Sequence, residues 1–369
     1  MNNLLKQRRV WLLLLLPISV LITLLAKGVP AVAEQVFARG IYRWMSQAMS
    51  AVTGLLPFSL LEFGIIALIL ILIVFLCKLI HKLAKNKEQR EEITKRAALN
   101  LFCVVSVVYF IFTVLCGVNY YRYPFSHYSG LAIQPSSVEE LYALCTELAQ
   151  QANTLRTQIS QEDANGVTRV FGEGYRPVAE QARQAMKALA EEYDVLKGYY
   201  PRPKQVLFST FMSRTEITGI YSPFTMEANV NVAATEYTIP ATMCHELSHL
   251  RGFMREDEAN FIAYLGCLAS DDIRFQYSGT MLALVYAGNQ LFRQDLQLYQ
   301  QLQATYNDGV TRDLDADYYY WLQFEDTIIS AVSNTVNDTY LKANSQTDGV
   351  KSYGRMVDLL LALRRSKNA

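Results

Sequence analysis

The sequence predicts an α-helical membrane region at the N-terminus joined to a mainly helical α+β domain, with a small sheet placed directly before a short motif helix. Three observations predict it. Apolar residues pile up in three blocks before position 120. The hydrophobic period changes from helical to extended between positions 198 and 232 and turns helical again after Pro240. The run His245-Glu246-Leu247-Ser248-His249 follows at once. The expected division is a membrane region over residues 1–119 and a globular domain over 120–369. With 34 basic and 34 acidic side chains the formal net charge is zero, so nothing in the overall charge draws the chain to nucleic acid. The six cysteines form neither a CxxC pair nor a Cys/His cluster, and they read as small buried hydrophobes.

Residues 10–26, following Lys6, Arg8 and Arg9, form the first apolar run, and residues 60–79 and 97–118 form the second and third. Each approaches the roughly 20 residues a helix needs to cross a hydrocarbon core, so the lipid bilayer is an expected partner. Ala31-Val32-Ala33 resembles a signal-peptidase site, but the first stretch is longer than a usual signal core, which favours an uncleaved anchor. Lys78, Lys82, Lys85, Lys87, Arg90, Lys95 and Arg96 lie between the second and third runs, against only Lys27, Arg39 and Arg43 between the first and second. The positive-inside rule then puts the N-terminus and the basic loop in the cytoplasm. Everything after Val118 falls on the extracytoplasmic side of the cytoplasmic (inner) membrane. In the first loop, Phe37, Ile41, Trp44, Met45 and Ala48 share one helical side, as either an interfacial helix or a helix packed on the globular domain would arrange them.

Residues 120–135, rich in tyrosine, read as a connector. Ser136 and Ser137, each three residues before Glu139 and Glu140, predict a capping box opening a helix to about Ile159. A polar loop over 163–174 precedes a second amphipathic helix with Pro177 near its start, reaching Lys197. Gln205-Val206-Leu207-Phe208 is a strand candidate, and residues 226–232 alternate as an extended segment with one buried face would. Beyond Pro240 the pattern is helical, interrupted by loops at Asn307-Asp308-Gly309 and at 346–349.

His245 and His249 are four apart, so on a helix they share a face and their imidazoles can converge on one Zn²⁺ ion. Glu246 is displaced around the helix by one residue, where it can approach metal-bound water without being a ligand. Zinc lowers the water's pKa, and a carboxylate then accepts its proton during attack on a carbonyl. Pro240 starts this helix, Leu247 and Leu250 give it a buried side, and Gly252 ends it with a positive φ. A second helix, opening at Arg255-Glu256-Asp257-Glu258-Ala259-Asn260, would fold back opposite His249, with Ala259 small enough for close approach.

At this point the chain resembles gluzincins, whose third ligand is a glutamate on a following helix, in one version within Glu-x-x-Ala-Asp. Glu256-Asp257-Glu258-Ala259-Asn260 is similar, with Asn260 in place of the Asp that supports a ligand histidine; the acceptor is kept and a charge is lost. Glu258-Ala259 also resembles the Glu-Ala step of other gluzincins, so Glu258 competes. Glu256 is favoured because it shares a helix face with Asn260. A metzincin-type third histidine is excluded, because Arg255 stands six residues after His249. Over nearly its whole length the chain also resembles an uncharacterised bacterial integral-membrane family, a domain of unknown function placed with zincin-like peptidases. The marks are the three apolar runs, Gly219-Ile220-Tyr221-Ser222-Pro223-Phe224, Glu227-Ala228-Asn229-Val230-Asn231, Glu258-Ala259-Asn260-Phe261 and Asp348-Gly349-Val350-Lys351-Ser352-Tyr353-Gly354. That likeness implies zincin-like architecture for the C-terminal domain and no established substrate. In zincins an edge strand before the motif helix pairs with extended substrate, and residues 226–232 are similar in position.

The expected function is a membrane-anchored zinc metallopeptidase acting on peptide or protein substrates outside the cytoplasmic membrane. Its ligands are His245, His249 and Glu256, and Glu246 is its general base. The rival is a non-enzymatic membrane sensor or scaffold that keeps the metal site; Glu246 speaks against it, since a structural zinc needs no base. Tyr221 and Tyr237 are candidate oxyanion partners among 23 tyrosines, whereas Cys244 and His127 read as structural. The sequence names no protein partner and no nucleic acid.

Overall fold

The computed structural model describes residues 8–325, 327–344 and 355–368; the loop expected at 346–349 and the segment 348–354 lie outside the described residues. The chain divides into two compact units. Met1–Trp44, Ser59–Tyr123 and Pro223–Thr225 make up one, and Met45–Phe58, Pro124–Ser222 and Met226–Ala369 the other.

Three helices of the first unit are long and apolar enough to cross a membrane: Arg9–Gly28, Leu60–Lys85 and Lys87–Leu115. Within them run α1 (Leu15–Gly28), α3 (Leu60–Lys85) and α4 (Arg90–Leu115). Ser59 caps α3 by accepting the Glu62 N–H at 3.2 Å, and Ser19, Ser106 and Thr113 return their hydroxyls to carbonyls four residues back. These hydroxyls are thereby satisfied inside their own helix, as a span in hydrocarbon would require. Glu34 is fully buried between Arg39, at 2.7 Å, and Arg122, at 3.1 Å. A carboxylate out of water needs that pairing.

The first loop is a π-helix over Ala33–Tyr42 running into α2 (Arg43–Thr53). Its buried side is Tyr42, Ser46, Ser50 and Thr53, while Ile41, Trp44, Met45 and Ala48 are exposed. Of the apolar stripe only Phe37 is buried, so most of it faces outward. Small polar residues face inward because they allow close backbone approach: a Cβ on Gly54 would come within 3.0 Å of Pro201.

In the second unit the capping box forms as read: Ser137 and Glu140 exchange backbone hydrogen bonds at the head of α5 (Val138–Gln158). Next comes α6 (Tyr175–Glu192). It stops short of Lys197, which follows a separate turn of 3₁₀-helix. The sheet has three strands in the order β1-β3-β2. β1 (Lys204–Gln205) is parallel to β3 (Glu227–Val230), and β2 (Gly219–Ser222) is antiparallel to it. Two expectations are corrected here. The strand at 205–208 ends early because Ser209 turns back to the Val206 carbonyl and starts the short helix α7 (Ser209–Arg214). And β3 is the central strand, buried at all four positions, so it has no edge to offer.

The motif helix α8 (Ile239–His249) and α9 (Glu256–Leu268) pack on α6 and on α10 (Ile273–Gln294), with α10 also lying along α5. Then follow α11 (Leu296–Gln303), α12 (Asp308–Leu322), α13 (Ile328–Ala343) and α14 (Met356–Lys367). Asn307, expected within a loop, instead caps α12 by accepting the Val310 N–H at 2.8 Å. Asp313 of α12, fully buried, accepts from Arg156, Tyr277 and both donors of Thr168 at 2.7–2.8 Å, tying α5, α10 and α12 together.

Residues 45–58, which lie between two apolar runs in sequence, are thus part of the fold that contains the motif. Gln47 accepts the Tyr199 N–H. The buried Lys204 ammonium donates to the Thr53 and Phe58 carbonyls at 2.9 and 2.8 Å and pairs with buried Glu227. Removing one partner strands the other charge in a low-dielectric site. Lys204→Met is expected to destabilise the protein by about 3–5 kcal/mol, with Lys204→Met/Glu227→Leu recovering most of the loss. Thermal melting of the full chain in detergent checks both.

Candidate metal centre

The site is built on the turn between α8 and α9. Gly252 has φ +83°, a left-handed conformation that frees the chain to reverse. Its N–H donates to the His249 carbonyl at 2.8 Å, and the Phe253 N–H to that of Ser248. After this reversal Arg255 precedes α9, whose first turn carries Glu256, Asp257 and Glu258 where a helix N-terminus favours negative charge. The helices approach closely: a Cβ on Gly266 would meet Cys244 at 3.7 Å.

Folded this way, His245, His249 and Glu256 each offer one ligand atom, all within 4.8 Å of one another. Glu256 lies 3.2 Å from His245 Nε2 and 3.6 Å from His249 Nε2, and the two Nε2 atoms are 3.0 Å apart. The other ring nitrogens are engaged. His249 Nδ1 donates to the Phe253 carbonyl at 2.7 Å, and His245 Nδ1 to Asn260 Oδ1 at 2.8 Å. Both rings therefore turn an Nε2 lone pair toward the common point. Asn260 in turn donates to the Tyr286 hydroxyl at 3.1 Å, which orients its amide. It stands where an aspartate was the pattern, and it holds His245 without a charge.

The electrostatics match a cation site. Burial opposes charge on His245, but Glu256, with Glu246 and Asn260, outweighs it and lifts the ring to about 9. Burial and the neighbouring charge on His245 bring His249 down to about 4, against the pull of Glu256. A divalent cation bound there would hold all three ligands unprotonated. Burial, assisted by Glu256, pushes the Glu246 carboxyl up to about 8, against His245 and a hydrogen bond from the Tyr221 backbone.

Glu258 does not join the group. Its Oε1 accepts the Phe125 N–H at 2.8 Å and Arg255 at 2.7 Å, fixing the connector to the start of α9. The Phe125 ring packs edge-on against Phe253, whose carbonyl holds His249. Tyr221 stands beside His249, ring centres 6.1 Å apart, with its hydroxyl on Met226 Sδ. Tyr237 is buried against Tyr277 and is no part of the site. Cys244 is core and His127 is exposed.

Two contributors escaped the sequence reading. Tyr286 arrives from α10 with only one tyrosine among many to signal it. Gly219 lies against the base: a Cβ there would stand 2.4 Å from Glu246 Oε1. Because Thr218 pairs with Asn231 through the Asn231 N–H, alternation along the ladder turns the backbone groups of Gly219 and Tyr221 toward the outer edge of β2. The edge beside the motif helix is therefore β2, not residues 226–232.

The chain belongs to the family described as "Protein of unknown function (DUF3810)", whose model matches residues 37–361. No curated protein and no solved structure matches it.

Glu256→Gln should weaken divalent-metal binding strongly, because it removes a charged ligand, whereas Glu258→Gln should retain metal and lower the melting temperature. Calorimetric titration of the chelator-treated protein separates the two. Equal metal affinity in Glu256→Gln and wild type would remove Glu256 from the ligand set.

Proposed function

We propose that this protein is a membrane-anchored zinc metallopeptidase of gluzincin-like, zincin architecture. On this reading it hydrolyses peptide or protein substrates outside the cytoplasmic membrane, with its N-terminus in the cytoplasm. One observation carries the reading: beside the converging His245, His249 and Glu256, the buried Glu246 Oε2 has no hydrogen-bond partner among the described residues. Glu258 Oε2 and Asp257 Oδ1 are likewise without a partner there, but Glu246 alone of the three directly follows a ligand histidine on the motif helix, where a carboxylate can reach metal-bound water. Two imidazoles and one carboxylate form a donor set that suits zinc with a position left for substrate chemistry.

Zinc, when bound, supplies Lewis acidity that acidifies water and polarises a carbonyl. His245, His249 and Glu256 would hold it. Glu246 takes the proton from the attacking water at Oε2 and passes it to the departing amine. The Tyr221 backbone N–H steadies the same carboxylate. An extended peptide can add to the outer edge of β2 through the backbone of Gly219 and the carbonyl of Tyr221, whose N–H is taken by Glu246, with Asn260 and Tyr286 keeping His245 in register. The basic loop of residues 78–96 supports the orientation.

Glu246→Gln is expected to keep its metal and lose about 10²–10⁴ in turnover. Digestion of a peptide library by the full chain, with metal content measured in parallel, tests this. Undiminished cleavage by Glu246→Gln, or none by zinc-loaded wild type, would sink the enzyme reading. Gly219→Val should likewise retain metal while losing activity, because the added side chain drives into Glu246. An unaffected rate in that variant would show that the Gly219–Glu246 approach is incidental.

A further inference from the structure

We propose that the second unit carries a lipid-facing ridge, formed by Val52, Leu55 and Phe58 with Leu207, Phe208 and Phe211, which lies in the interfacial layer of the bilayer. These side chains are exposed to an extent unusual for their size: Leu55 is 81% exposed, Leu207 67%, Phe208 56% and Phe211 59%. They come from two stretches far apart in sequence. The Lys204 ammonium joins them, donating to the Thr53 and Phe58 carbonyls in a buried pair with Glu227. Exposure here is thus presented by a pinned scaffold. Val206 continues the strand by donating to the Val230 carbonyl, and Ser209 ties the next turn to Val206 and Val232.

Lipid is the occupant that the chain itself indicates. Phe58 directly precedes Ser59, the cap of α3, which is apolar and long enough to cross a membrane. Leu207 follows Lys204 by three residues, a reach of at most about 11 Å. The covalent step from Phe58 to Ser59 thus ties this scaffold to the start of an apolar helix, and the proposal puts its ridge in the layer, roughly 5–10 Å deep, that interfacial apolar faces occupy. Residues 44–61 and 205–213 contain no charged side chain, while Arg202 and Arg214, both exposed, flank the second stretch. Apolar and aromatic residues bordered by arginine suit a headgroup boundary. The inference is independent of the metal chemistry.

The test is a tryptophan scan of the full chain in lipid nanodiscs. Phe208→Trp and Phe211→Trp are compared with wild type, whose Trp11, Trp44 and Trp321 give the background, and with Phe292→Trp, at an exposed position on α10. In discs whose acyl chains carry bromine near the glycerol end, the added emission of the two ridge variants is expected to be lost. Bromine at the far end of the chains should quench it less, and Phe292→Trp should keep its emission in both. Ridge emission that survives bromination would overturn the proposal, as would equal loss from Phe292→Trp. So would shielding that persists in detergent together with cross-linking between copies, which would assign the ridge to a second copy of the chain.

Discussion

One carboxylate and two imidazoles converge in a place mostly withdrawn from bulk water, and much of the second unit is arranged to make that tolerable. Each group loses hydration on burial, and each must recover it from the protein or from a cation. The outer faces recover it from the protein: Phe253 O for His249, Asn260 Oδ1 for His245. Both acceptors depend on the reversal at Gly252, because only a tight turn brings a carbonyl four residues beyond His249 back to its ring. The inner faces meet one another. Glu258, next along α9, is occupied by Arg255 and by the Phe125 N–H, which keeps a second buried carboxylate from competing for the same point.

The sequence showed this centre better than its surroundings. His245, His249 and Glu256 could be read because helical periodicity converts spacing directly into a shared face, and because a glycine followed by an acidic helix start is a local signal. Asn260 was legible for the same reason, one turn beyond Glu256. Gly219 and Tyr286 were not. Each reaches the site through tertiary packing, and neither a single glycine in an extended segment nor one tyrosine in a long helix says what it will touch.

The sheet misled for a physical reason, and the first loop left two arrangements open. In β3, alternation at residues 226–232 suggested one buried face, but a four-residue strand flanked on both sides and covered by the motif helix is buried throughout. In α2 the apolar stripe pointed outward while Ser46, Ser50 and Thr53 packed inward. Hydrophobic periodicity assumes that water is the solvent on the open side. A domain boundary drawn at the end of the third apolar run also leaves residues 45–58 outside a fold to which they belong, because discontinuous packing has no local signature.

The order of elements from β1 to β2 gives the proposed ridge a bearing on how a substrate would arrive. α7 lies in the connection between them, and its Ser213 is held by Asn231, the residue that also pairs with Thr218 just ahead of β2. A ridge seated in the interface therefore fixes the height of the outer edge of β2 through a short, hydrogen-bonded path. The exposed Ile220 lies on the same strand. A peptide adding to that edge would meet this apolar side chain and would do so near the headgroups. Extended segments adjoining a membrane anchor fit that placement better than compact soluble proteins do, since their backbone is already free to pair. With Gly219 against Glu246, the edge that would align such a segment is also the one that positions the base, so alignment and proton transfer would depend on the same few residues.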